Sequence, residues 1–271
     1  MQYLRGWTAL RNDPEWVGKV GWASLIVLTG MCIPVVGQIA LLGWNALMLR
    51  RAACGQDSPL PRLEMDLNYL MKLVETGFKS FLAGLLWSIP LIAAIMVGYC
   101  CMYAGVVAMF GAAAAGASAG GEAGAGIGAI FGVVVMIVCF FLLFAFIMVA
   151  NMVTQVAVLR AELSDDVGAA LRFGEVMKMT KMLAKELIVG MIVLQLVALV
   201  GVFIGLISLY LLLFPVVVIL QIITTYFRAE LYRVYLEKGV QPLPIGPLAV
   251  EGGDPPVVGP HAGTYTQPRT F

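Results

Sequence analysis

The chain has 271 residues, of which 61% are apolar and only 12% charged. Soluble domains run at roughly 45–50% apolar and about 25% charged, so the composition argues against a water-soluble enzyme, a nucleic-acid binder and a disordered protein. The formal net charge of +1 favours no partner through bulk electrostatics.

Residues 1–19 are polar and aromatic, and Asp13, Pro14 and Glu15 precede any apolar run. This does not read as a cleaved signal peptide, so the first apolar segment is expected to act as an uncleaved membrane signal. That segment, 20–49, carries no charge. As one helix its 30 residues would measure about 45 Å against a hydrocarbon core of about 30 Å. Pro34 removes a helix donor at its centre and Gly37 permits a turn. The segment is therefore expected to be a hairpin, either re-entrant or of two short tilted helices. Residues 63–78 place Leu63, Leu67, Leu70, Val74 and Phe78 at steps of three and four, with Asp66, Lys72 and Glu75 between them. That spacing predicts an amphipathic helix at the cytoplasmic interface.

Residues 81–110 then go out and 131–159 return. Pro90 either kinks the outward helix or ends a short interfacial turn. Between them, Gly116, Gly120, Gly124 and Gly128 repeat every four residues. A helical face of this kind lets helices approach closely in membranes, whereas glycine's poor helix propensity equally suits a small-residue loop. A second amphipathic stretch, 167–186, has Leu171, Val176, Met179 and Leu183 on its apolar side. The charge-free segment 187–227 is long enough for two spans, with the turn expected near Gly201 to Ser208 unless Pro215 kinks the second arm. From Gly239 onward the chain holds seven of its 13 prolines and its only histidine, His261, and reads as a flexible, extended tail.

The 17 Lys and Arg residues sort the topology. They fall in 1–19, 50–80, 160–186 and the segment after 227, and none lies between Ser80 and Leu159. Cytoplasmic loops carry the excess of Lys and Arg, so all four basic segments are expected on the cytoplasmic side with both termini. Each apolar segment between them must cross an even number of times. The expected fold is an all-α polytopic membrane bundle of about six apolar arms plus two cytoplasmic amphipathic helices. Residues 1–238 form the membrane domain and 239–271 the tail. An offset of 109 residues pairs Arg51 with Arg160, Asp57 with Asp166, Asp66 with Glu175 and Lys72 with Lys181, which suggests a parallel repeat about an axis along the membrane normal.

Little chemistry is available. Ionisable groups inside a membrane mark pumps and ion paths, and the apolar arms contain none. Asn151 and Gln155 share a helix face and, with Gln195, could line a narrow path, although such amides more often join helices by hydrogen bonds. The five cysteines have neither the spacing nor the histidine neighbours of a metal site, and Met177, Met179 and Met182 read as apolar lining. The Gly-x-Gly-x-Gly run of residues 124–128 opens no βαβ unit. No catalytic, cofactor-binding or metal residue is assigned, no cofactor is expected, and an enzyme is not expected.

Several of these residues carry a resemblance. Asp13-Pro14-Glu15-Trp16, Ile33-Pro34-Val35-Val36-Gly37, Gly43, Arg50-Arg51, Gly55, Leu60-Pro61 and Gly77 resemble a bacterial and archaeal membrane-protein family known as domain of unknown function 4013. The likeness is good over 11–90 and diffuse to about 238. It implies a multi-pass membrane protein and no activity. The leading expectation is a non-enzymatic scaffold or assembly partner of the cytoplasmic membrane, acting through helix packing. Its partners would be the lipid bilayer, further copies of itself or other membrane proteins, and not nucleic acid. The alternative is a channel or transporter for a small neutral or apolar solute.

Overall fold

A computed structural model describes residues 2–29, 35–63, 66–208 and 212–249, including all side-chain surroundings except those of 108, 112–113, 116–117, 119–129 and 131. Among the described residues the chain is helical and has no strand. The helices are α1 (Arg5–Arg11), α2 (Trp16–Thr29), α3 (Val36–Ala53), α4 (Leu67–Ser164), α5 (Val167–Leu171), α6 (Phe173–Met182), α7 (Ala184–Ile207) and α8 (Leu213–Glu237). The chain divides into two units. One, the base, runs to Gly84 and resumes at Gln155, and the other is Leu85–Thr154.

In the base, α8 packs against α1, α2, α3 and α7, and α2 packs against α3. Helix α3 is apolar on nearly every face, and a helix of that kind must be covered all round. Trp44, Ala46, Leu47, Met48 and Leu49 are accordingly buried. Residues 20–29 and 36–49 thus fall in two short helices that pack on each other, and the expected turn at Pro34 lies outside the described residues. With 14 and 18 residues, α2 and α3 extend about 21 and 27 Å, each less than the hydrocarbon core. Val35, just before α3, takes a φ of 87°, a strained conformation for a β-branched residue.

Helices α7 and α8 form an antiparallel pair whose turn begins at Ser208, at the end of the expected window. The glycines there serve contact rather than turning. A Cβ on Gly190 would lie 2.0 Å from the Phe227 ring, and one on Gly201 would lie 2.7 Å from Val216. Pro215 sits in the first turn of α8, where its missing N–H has no helical partner to lose.

Helix α4 starts on Asp66, whose carboxylate accepts the Asn68 N–H, and continues through Pro90. In the second unit, a Cβ on Gly98 would meet Leu143 at 2.6 Å and one on Gly132 would meet Met109 at 2.7 Å. Both pairs are centred on the same point, between Gly120 and Gly121. The two arms are therefore antiparallel and the chain reverses between 110 and 131. The surroundings of Gly116, Gly120, Gly124 and Gly128 lie outside the described residues.

Two expectations need correction. The amphipathic helix of 63–78 is not separate: its residues from Leu67 are the first turns of α4, because no breaker stands between it and the outward arm. Its buried face is also rotated. Tyr69, Leu73, Gly77 and Ser80 point inward, whereas Leu67 and Phe78 are exposed. The close crossing with α3 at Gly43 and Gly77 selects the small-residue face over the larger apolar one. In the second amphipathic stretch Val176, Met179 and Leu183 are buried as expected, but Leu171 is exposed.

Among the described residues, four helical segments are long and apolar enough to cross a membrane: Leu67–Gly111, Gly132–Ser164, Ala184–Ile207 and Leu213–Glu237. Of the six expected arms, the two in 20–49 fall in the shorter helices α2 and α3. Of the expected tail, residues 240–249 form no helix or strand and are tied to the base by hydrogen bonds at Leu243, Gly246, Pro247 and Leu248; the rest of it lies outside the described residues.

Candidate functional site

The basic residues that set the topology stand at the ends of apolar helices, where a solvated face is expected. The base buries them instead. Arg50, Arg51, Arg160, Glu162, Arg228 and Glu230 are each at most 6% exposed. Burying a charge is costly unless it is paired and hydrogen-bonded, and each of these has partners.

The centre is Glu162, on the last turn of α4. Its carboxylate accepts from Arg228 Nη1 of α8 at 2.6 Å, and its main-chain oxygen accepts from Arg50 Nε of α3 at 2.6 Å. Arg50 continues to Asp165 at 2.7 Å, and Asp165 also receives Lys79 at 2.5 Å. The C-terminal ends of α3 and α4 and the middle of α8 are thereby joined through the guanidinium groups of Arg50 and Arg228. Burial alone would raise the Asp165 carboxyl, but the Lys79 and Arg50 donors and charges hold it below the ordinary carboxylate value.

Glu230, two residues beyond Arg228, serves the N-terminus. Arg5 of α1 donates to it at 2.6 Å and to Asp57 at 2.6 and 2.8 Å. Tyr226 donates to the Asp57 carbonyl at 2.6 Å. Arg160 donates to the Ala169 carbonyl at 3.0 Å and pairs with Glu175, which folds α5 and α6 against the end of α4.

The α1–α2 elbow is held by Asp13. Its carboxylate accepts the Glu15 N–H, the Leu60 N–H and the Lys19 ammonium, each at 2.8 Å. Lys19 also donates to the Leu60 carbonyl at 2.9 Å, and Trp44 donates to Pro61. Burial would raise the Asp13 carboxyl, but these donors outweigh it and hold it below its ordinary value of 3.8. A carboxyl with a lowered folded-state value stabilises the fold above its unfolded value, and that contribution is lost as pH falls through the folded one. The expected result is a thermal transition that is level above about pH 4 and drops at lower pH. Asp13→Asn should lower the plateau and flatten the drop. An unchanged acid limb in Asp13→Asn would assign the pH dependence elsewhere.

Four buried polar atoms among the described residues of α3, α4 and α8 have no hydrogen-bond partner: Asn45 Oδ1, Ser80 Oγ, Glu162 Oε1 and Arg228 Nε. No grouping of three or more His, Cys, Asp or Glu suited to a metal occurs among the described residues. The buried ion pairs tie α3, α4 and α8 together.

The residues singled out as a polar lining are not brought together by hydrogen bonds. Asn151 donates to the Ile147 carbonyl of its own helix at 3.0 Å, Gln155 is half-buried, and Gln195 is exposed on α7. The residues paired by the offset of 109 play different parts. Asp57 receives Arg5, whereas Asp166 caps α5. What the sequence reading missed is the ionic clamp. Its signal was present: Arg-Ala-Glu-Leu occurs at 160–163 and again at 228–231, and the first copy's glutamate binds the second copy's arginine.

Among the described residues, fold and site together define a helical protein with four segments long and apolar enough to cross a membrane and a base locked by buried ion pairs. The chain belongs to the family described as protein of unknown function (DUF4013), whose model matches residues 26–211. Neither the curated proteins nor the solved structures include a match to the chain.

Proposed function

We propose that the protein is a multi-pass component of the bacterial or archaeal cytoplasmic membrane, with both termini on the cytoplasmic side, and that it acts as a non-enzymatic scaffold or assembly partner through helix packing. One observation carries this reading: three of the four candidate spans found among the described residues leave their surfaces open, whereas α8 is half buried in the base. Of the most apolar 18-residue window, 6% is buried in the outgoing arm of α4, none in the return arm and 11% in α7. A solute path through one chain needs helices that wall an interior. These arms offer their apolar sides to lipid or to another protein, and large exposed apolar surfaces mark such contacts.

Two measurements test it. The particle mass in mild detergent should exceed that of one chain, and Gly120→Leu with Gly124→Leu should reduce it. A single-chain particle that passes small neutral solutes when placed in vesicles would overturn the scaffold reading in favour of transport. With the native cysteines replaced, a cysteine at position 118 should react with an impermeant reagent from outside, while cysteines at 58 and 164 should not. Outside labelling at 58 would overturn the orientation.

A further inference from the structure

The base grips residues 243–248 almost wholly by main-chain atoms. The Gly246 N–H donates to the Leu163 carbonyl at 2.7 Å. Arg50 Nη1 donates to the Pro247 carbonyl at 3.1 Å and Arg51 Nε to the Leu248 carbonyl at 3.1 Å. The Tyr232 hydroxyl accepts the Leu243 N–H at 3.0 Å and faces the Leu243 carbonyl at 3.4 Å. These partners come from α3, α4 and α8, the same helices that Glu162 joins.

The slot is also selective. A Cβ on Gly246 would fall 2.6 Å from Asp165 Cβ and 3.1 Å from Arg50 Cζ. Both of those groups are fixed by their own ion pair, so they cannot swing aside. Pro242, Pro244 and Pro247 hold the segment extended before it docks, which lowers the ordering cost. The segment's own side chains are half-buried or exposed, so little apolar burial anchors it. A strap held by directional bonds with little burial is suited to exchange.

We propose that the base carries a peptide-binding slot for an extended Leu-Pro-x-Gly-Pro-Leu segment. The chain's own residues 243–248 occupy it as a releasable latch, and the slot demands glycine at its centre. The inference stands apart from the scaffold reading, since it rests on the base alone.

The test uses the full chain in lipid nanodiscs and a fluorescent peptide copying residues 240–249. The wild type, with its slot filled in cis, should bind the peptide weakly. Full-length Gly246→Val should release its own latch and bind the peptide at least tenfold more tightly. The same peptide with valine at the glycine position should not bind either protein. Equal binding of both peptides, or no gain in Gly246→Val, would overturn the slot. Hydrogen exchange on the wild type guards against a misfolded variant. The Gly246 and Leu243 amides should exchange at least tenfold more slowly than in the free peptide, and Tyr232→Phe should speed Leu243. Exchange at the free-peptide rate in the wild type would overturn the latch without any variant.

Discussion

Replacing Arg228 with Met is expected to destabilise the protein by about 3–5 kcal/mol, because it leaves the Glu162 carboxylate buried with no ionic partner. Glu162 is wholly buried and Arg228 is 5% exposed, so water cannot take the lost partner's place. Glu162→Leu alone should be costly for the same reason, since Arg228 would then lose its only carboxylate among the described residues. The double change, Glu162→Leu with Arg228→Met, should recover most of the loss, because an apolar pair of similar volume can equal or exceed a buried ion pair. The measurement is the apparent melting temperature in one detergent for the wild type, both single variants and the double variant. Losses that simply add would show that the two residues act independently and that the clamp is not a unit.

The second large effect is expected at the crossing of α3 and α4. A Cβ on Gly77 would lie 1.8 Å from the Ile39 carbonyl oxygen, and one on Gly43 would lie 2.0 Å from the Leu73 carbonyl oxygen. Both obstacles are backbone, so no rotamer change relieves them and the helices must separate. Overpacking typically costs about 1–3 kcal/mol and occasionally more, and Gly77→Ala should fall at or above the top of that range. Gly21→Ala is the control. It meets nothing within 4 Å, so helix propensity alone should make it neutral to about 1 kcal/mol stabilising. The readout is again thermal stability in detergent. A stable Gly77→Ala protein would mean that α3 and α4 do not cross at these glycines.

Several of the residues on which the family resemblance rests meet in the base. Gly43 and Gly77 are the crossing. Asp13 and Leu60 are joined through one carboxylate, Pro61 receives Trp44, and Arg50 and Arg51 reach across to α4 and the tail. Residues scattered over 11–90 therefore meet in one base. These residues serve packing and clamping.

The sequence by itself determined the helical class and the long apolar helices, because these follow from local quantities. The length of a charge-free run and the lack of Lys and Arg between Ser80 and Leu159 are each readable along the chain. It did not determine which charges would be buried. Arg50, Arg160 and Arg228 read as solvated because each stands at the edge of a charge-free run, and their real partners, Asp165, Glu175 and Glu162 respectively, lie many residues away or on another helix. The face that α4 turns inward was hidden for the same reason: periodicity favours the larger apolar side chains, whereas the close approach of α3 requires Gly77. The docking of residues 243–248 rests on main-chain atoms, which every sequence possesses, so composition alone read that segment as a free tail. Local spacing reports what a segment can become, and only the tertiary structure decides which distant group meets each charge and each carbonyl.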